Sequence, residues 1–506
     1  MTSPEPHHAA SCEAGPVQAV LIIAAAVLIC LVAMSGRSLW IDEAATAVRA
    51  MQPTLGSWWQ AMAQEKTGCL QMPLYMLYTW GWARLFGSSE WSLHLANLPW
   101  FVAGAAAFIL AFPAGDRRRP IAACLVLLSP FAWHYLDEAR PYAMQLGASL
   151  LVVASLRRLA EGSSSGDTRN AGQVALCLLG ITALCGSSLF GMIWAAAGIA
   201  ALAVLLSRAQ LVVLLRRHCW LWLAGAGPVL LLAIYYAWTL KVGARGSGAA
   251  TTTWGSVFFA GYELLGFAGL GPGRLEMRST GLTALQGHWT ALALYAIATG
   301  ILIGAAVLQG LKFGNRKHLA IALCCTIPAI LMLGAGWALH FRVLGRHLAP
   351  LAAALLLVLT CGASGLWSRG AGWARLAAVF FCVLSLVSCL SLRFSARHAK
   401  DNYRVAATIA RTALRNGQAV WWNAAEEGAR YYGVPVTTRA GTNREALFVM
   451  NPTRDSLSAL PMPQLIVASK PDLYDGQMAV AEYIRDRGYS PVERFTAFVV
   501  WERKRD

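Results

Sequence analysis

Charge is what this sequence has least of. Asp, Glu, Lys and Arg make up only 13% of its 506 residues, against 57% hydrophobic side chains, and the mean hydropathy is +0.50. An ordinary soluble domain carries about twice that share of charge. A soluble protein is therefore excluded as the main architecture. Cysteine patterning is also missing. Of twelve cysteines, ten lie in or at the edge of apolar runs, Cys12 is in the N-terminal leader and Cys69 stands alone in a loop. In apolar runs they act as small hydrophobes, so neither a disulfide framework nor a metal-ligand spacing is present. Lys and Arg are absent ahead of the first apolar run, whose length favours a retained anchor over a signal peptide. The apolar runs also lack mid-helix charge and an internal repeat, which argues against a transporter or lipid flippase.

What is present is apolar length. About eleven runs, centred near residues 26, 102, 128, 149, 180, 198, 230, 299, 329, 357 and 384, each approach the roughly 20 residues that a spanning helix needs. They predict a polytopic α-helical membrane protein with about 11 transmembrane helices over residues 17–394, after a polar leader at 1–16 in which His7-His8 reads as flexible. From 395 to 506 the pattern changes to that of a small C-terminal α/β domain. A helix is expected at Tyr403–Arg415, with strands at Ala419–Trp422, Leu447–Met450, Leu465–Ala468 and Ala497–Trp501.

The net charge of +17 falls mainly in alternate short loops: Arg117-Arg118-Arg119, Arg157-Arg158, Arg216-Arg217, Lys312 with Arg316-Lys317, and Arg369 with Arg375. Positive loops stay in the cytoplasm. The N-terminus is then inside, and nucleic acid is not needed to explain the basic balance. The Asp42 loop (36–92), the Asp137 turn, the loop 241–287, the Arg342–Arg346 turn and the tail are outside. The first of these loops contains amphipathic, Trp-rich pieces suited to the headgroup level. The loop 241–287 is rich in Gly and Thr and reads as a possible lid.

Ionisable residues gather on that outer side. Ser38-Leu39-Trp40-Ile41-Asp42-Glu43 follows the first helix, so Asp42 is a candidate general base with Glu43 beside it. Arg140, Arg342 and Arg346 are candidate phosphate binders, because a guanidinium pairs with phosphate through two hydrogen bonds. Glu138 is placed to orient Arg140 or an acceptor, and Asp137 or Glu138 to cap the helix that starts at Pro141. Plainer readings stand beside these. The acidic pair also reads as a solvated helix end, Arg342 and Arg346 as snorkelling anchors, Asp137-Glu138-x-Arg140 as an internal ion pair, and His134 and His347 as locally bonded.

Three motifs in order, Trp40-x-Asp42-Glu43, then Met72-Pro73-Leu74-Tyr75 with Arg84-Leu85-Phe86-Gly87-x-x-Glu90, then Glu138-Ala139-Arg140-Pro141-Tyr142, resemble the bacterial polyprenyl-phosphate-sugar glycosyltransferases of the GT-C fold. These are relatives of protein O-mannosyltransferases and of lipid A aminoarabinose transferases. The resemblance runs to about residue 390 and departs at Gln71-Met72-Pro73, where relatives carry His-Pro-Pro or Lys-Pro-Pro; Lys66 is the cation nearest in sequence. It implies that Asp42 is catalytic, that Arg140 contacts the donor phosphate and that Arg346 helps to hold it. Tyr142 and His347 are then supporting residues. It further implies an inverting transfer of a sugar from a polyprenyl-phosphate carrier, with no metal or other cofactor, to a lipid A, glycan or protein acceptor outside the inner membrane of a bacterium. A non-catalytic envelope scaffold and a ligase using a diphosphate-linked oligosaccharide remain as rivals.

Overall fold

The computed structural model describes residues 15–65, 68–162, 169–242, 251–312, 316–368, 372–439 and 444–503. The His7-His8 pair, Cys12, Lys66 and Arg369 lie outside these residues, as do most of the 161–170 linker and positions 243–250 of the expected lid.

The chain opens with α1 (Pro16–Ala33) and then makes the short helices α2 (Ile41–Ala50), α3 (Leu55–Glu65), α4 (Pro73–Phe86) and α5 (Glu90–Leu95). The bundle continues with α6 (Leu98–Leu110), α7 (Arg118–Leu127), α8 (Pro130–Leu136), α9 (Tyr142–Gly162), α10 (Arg169–Ser187) and α11 (Gly191–Leu205). After these come α12 (Arg208–Arg217), α13 (Cys219–Lys241), α14 (Trp254–Leu264), α15 (Arg274–Thr280), α16 (Trp289–Lys312), α17 (Arg316–Ala338), α18 (Leu351–Ser368) and α19 (Gly372–Phe394).

Among the described residues, eight helical stretches are long and apolar enough to cross a membrane, with two shorter apolar helices beside them at Ala171–Ser187 and Gly191–Leu205. This is a multi-pass membrane protein. The remaining expected run, centred near 128, is not one helix: it divides into α7 and α8 at Leu128-Ser129. Pro130 has no N–H to continue the first helix, and Ser129 caps the second by accepting from the Ala132 N–H. That break carries the chain toward the Asp137 turn.

Helix α9 is the centre of the bundle, with 94% of its apolar window enclosed by protein. It packs against α6, α10, α11, α17 and α18. Its crossing with α6 depends on small residues, since a Cβ on Gly104 would strike the Gly147 backbone and one on Gly147 would strike Trp100 O. By contrast, only 11% of the window in α13 is enclosed, and Leu230, Leu231 and Ile234 point outward, as lipid-facing side chains do.

The described part of the loop 241–287 is not a free lid. It folds as α14, α15 and two 3-10 turns, and its glycines are packing positions: a Cβ on Gly269 would meet Ser388 O and one on Gly273 would meet Arg397 O.

After α19 the chain enters α20 (Tyr403–Arg415), where expected, and then a six-stranded sheet. The strands are β1 (Val420–Asn423), β2 (Val436–Thr437), β3 (Ala446–Phe448), β4 (Leu465–Ser469), β5 (Tyr489–Phe495) and β6 (Phe498–Arg503), in the order β2-β3-β1-β4-β6-β5. The first four run parallel, while β6 pairs antiparallel with both β4 and β5. Tyr403, Trp422, Val467 and Phe498 anchor the core between sheet and helix.

Candidate active site

The site is built on the first turn of α2. Trp40 is its N-cap, Asp42 and Glu43 occupy the first turn, and carboxylates there meet the positive end of the helix. The two acids have different surroundings. Glu43 is fully buried and accepts from the backbone N–H of Trp40 (3.1 Å) and of Ala139 (2.7 Å) and from the ammonium of Lys400 (3.1 Å). His94 adds a contact of 2.8 Å from Nε2 to the same carboxylate. Its Nδ1 lies 2.7 Å from the Ser35 carbonyl. Every lone-pair direction of Glu43 is thus occupied. It positions the turn and is not free to take a proton from a substrate.

Asp42 is the reachable acid. Its side chain is 31% exposed, and Oδ2 lies 3.2 Å from Arg346 Nη1. Arg140 comes from the Asp137 turn and donates to Asp42 O (3.2 Å) and Thr46 Oγ1 (3.1 Å). Burial works against both guanidinium charges, but Tyr142 and Asp42 outweigh it, and each pKa is held above the ordinary arginine value. Each also has a buried Nε–H with no hydrogen-bond acceptor among the described residues. The Arg346 guanidinium stands 5.5 Å from the Trp40 ring and 5.8 Å from the Tyr142 ring.

Arg342 is exposed and makes no ion pair among the described residues, so it is close to the site without being built into it. His347 Nδ1 accepts the Leu344 N–H at 3.1 Å. Burial, reinforced by Arg346, lowers the His347 pKa to about 3, which leaves a neutral ring protonated on Nε2.

The acids of the Asp137 turn do not cap α9. Asp137 accepts from the Ser35 hydroxyl (2.8 Å) and backbone N–H (2.5 Å), while Glu138, buried, accepts from Arg274 at 2.8 Å. Glu138 is drawn to a guanidinium, a stronger donor than a helix end offers, and Asp137 is taken up by Ser35. Arg274 also donates to Glu263 at 3.0 Å. Burial alone would raise the Glu138 pKa, but Arg274 and His134 reverse this and hold it below the usual carboxylate range. Asn97 fixes the turn by donating to the carbonyls of Leu136 (3.1 Å) and Glu138 (2.7 Å).

Sequence reasoning passed over Arg274, His94, Lys400 and Lys470. A cavity of about 150 Å³ opens beside Arg274, Lys400 and Lys470, lined also by Trp40, Trp133, His134 and Glu138. Pro141-Tyr142 and Glu138-Ala139 gave a signal that a site lay here. Only the fold brings in cations from the α14–α15 segment and the C-terminal domain.

No family model and no curated protein matches the chain. Among solved structures it is similar to ArnT from Cupriavidus metallidurans in the apo state, with TM-score 0.53 and 14% identity over 96% of this chain and 97% of that one. It is similar also to ArnT bound to undecaprenyl phosphate, with TM-score 0.51 and 15% identity over 96% and 98% of the two chains. The arabinofuranosyltransferase AftD from Mycobacteria gives TM-score 0.47 at 13% identity, with 98% of this chain but 40% of that one covered. At such identities the likeness to ArnT is one of fold. The chain has the GT-C architecture expected from its three motifs, with a small C-terminal mixed sheet.

Proposed function

Starting from a fold shared with ArnT, one structure of which holds undecaprenyl phosphate, we propose that this protein is a membrane glycosyltransferase. It moves a sugar from a polyprenyl-phosphate donor to an acceptor outside the cytoplasmic membrane of a bacterium. The observation that carries the reading is the setting of Asp42: a reachable carboxylate flanked by two guanidiniums, each with a buried N–H that has no acceptor among the described residues. An oxyanion with several acceptor oxygens satisfies such donors.

The steps follow from that geometry. The acceptor hydroxyl or amine gives its proton to Asp42 as it attacks the anomeric carbon. The bond from that carbon to the phosphate oxygen breaks on the opposite face, its electron pair stays on the phosphate, and the anomeric centre inverts. Arg140 and Arg346 take up the developing charge, an effect that is largest where water is excluded. The leaving group is a monophosphate and two guanidiniums already face it, so no metal is required; activity lost in chelator and restored by a divalent ion would contradict this.

The orientation is supported by the other end of the bundle. There Arg119 reaches Gln18 at the start of α1 (2.9 Å), and Lys317 reaches the last turn of α9 through Ala160 O (2.6 Å), so several of the basic loops lie together, as cytoplasmic ones do.

The test is transfer from a panel of synthetic polyprenyl-phosphate sugars by purified protein and by Asp42→Asn. Product from one donor, lost in the variant while it stays folded, supports the reading. Lipid movement in liposomes without turnover of any donor would replace it with a flippase.

A further inference from the structure

Lys400 stands at the very start of the C-terminal domain. It lies between the short turn Ala396–His398, which follows α19, and the start of α20, on the strap from which the C-terminal domain hangs. Its ammonium is 13% exposed, lies 3.1 Å from Glu43 Oε1 and 3.7 Å from the Asp137 carboxylate, and donates to Asp137 O. Burial would favour loss of its proton, but Asp137 and Glu43 outweigh that and hold its pKa above the ordinary value. One side chain therefore joins the two motifs that build the site.

A lysine that only neutralised a buried acid would explain those contacts. It would not explain why other residues of the same domain converge on the same few positions. Tyr432 OH accepts the Leu39 N–H at 2.9 Å and lies 3.1 Å from Ser38 Oγ, and the Arg404 N–H donates to that hydroxyl at 3.2 Å. Lys470, ion-paired with Asp401 next to Lys400, stands 5.8 Å from the Trp40 ring. Ser38, Leu39, Trp40 and Glu43 are all tied to the strap or the domain, while Asp42 is tied to Arg346.

We infer that the C-terminal domain is part of the catalytic unit, and that Lys400 is a positioning residue holding the first turn of α2 so that Asp42 faces Arg346. Fixing the carboxylate of Glu43 fixes the turn, and the turn carries the base one residue away. This inference rests on Asp42 being the base.

The test uses the full-length protein. Lys400→Met is expected to lower kcat by about tenfold or more while KM for the donor stays within about twofold, since misplacing a base affects the transition state more than ground-state binding. Lys400→Arg, which restores a cation, is expected to recover most of kcat. Tyr432→Phe removes a tie to the same turn without stranding a buried charge, so it is expected to lower kcat in the same sense even if Lys400→Met does not fold. Hydrogen exchange of the backbone amides from Trp40 to Ala47 should quicken in Lys400→Met and Tyr432→Phe by more than any fall in Tm accounts for, and return toward wild type in Lys400→Arg. Wild-type kcat in folded Lys400→Met or Tyr432→Phe, or exchange that does not change in them, would overturn the inference. The exchange measurement needs no donor, so it still decides the role of Lys400 if no donor is turned over, a result that would sink the transferase reading alone.

Discussion

Arg346 Nη1 lies 3.2 Å from Asp42 Oδ2, so the candidate base and a candidate phosphate binder are ion-paired with each other. On the proposed reading, a donor phosphate that draws Arg346 away leaves the Asp42 carboxylate unpaired beside the acceptor. Binding of the donor thereby exposes the base.

Asp42→Asn is accordingly expected to reduce transfer by about 10²–10⁴-fold, the usual contribution of a general base. Donor affinity should stay the same or rise, because Arg346 no longer has a competing carboxylate. Binding of a labelled polyprenyl phosphate to the folded variant checks this; lost binding would show that Asp42 holds the donor instead of activating the acceptor.

Arg346→Ala removes the cation proposed to meet the leaving phosphate and is expected to lower kcat by about 10²–10³-fold, as loss of one oxyanion donor does. Arg346→Lys should recover only part of it, since a point charge does not reproduce the two-pronged contact. A lysine variant with full activity would mean that charge alone suffices there.

Arg274→Ala leaves Glu138 and Glu263 buried without their shared cation. Breaking a fully buried pair costs about 3–5 kcal/mol, but the Arg274 side chain is 38% exposed, which reduces the expected loss to about 1–3 kcal/mol. Thermal unfolding in detergent measures it. Arg274→Ala combined with Glu138→Gln should recover part of the loss, because one stranded charge is then gone.

His347 gives a dependence on pH. Its folded pKa is about 3 against an ordinary 6.5, so between these values the unfolded chain binds a proton that the folded chain refuses. Its contribution to stability is complete above pH 6.5 and is lost progressively as pH falls toward 3. His347→Asn is expected to flatten that part of the Tm profile; an unchanged slope would assign the acid sensitivity to other groups.

The sequence carries the fold well wherever pattern is local. Tyr403–Arg415 has an apolar face at helical spacing and forms α20 at those residues. Strand β5 was not foreseen because it lies at the sheet edge, carries Pro491 and is largely exposed, so it has no apolar run to betray it. The broken third span had its signal in Ser129-Pro130, overridden by the apolar residues on either side. At the site, Asp42 and Arg140 stand in motifs and Arg346 in a short turn before a late helix, and the fold brings the three together. Glu43 was assigned beside the base, although its burial among His94, Lys400 and two backbone N–H groups arises from contacts distant in sequence. Arg274 was hidden for a similar reason: the glycines around it suggest mobility, whereas in three dimensions they permit close packing.

Helix α9 has a consequence for biogenesis. Of the eight candidate spans it has the lowest hydropathy, 1.2, and the largest enclosed share, 94%. Its neighbours, more than lipid, are its solvent. An isolated α9 is a poor substrate for release into the bilayer from the insertion machinery, and α10, α11, α17 and α18 that enclose it are all synthesised later. The helix that leads directly out of the Arg140 turn must therefore wait for much of the chain before it is fully housed, and the active site matures late in assembly for that reason.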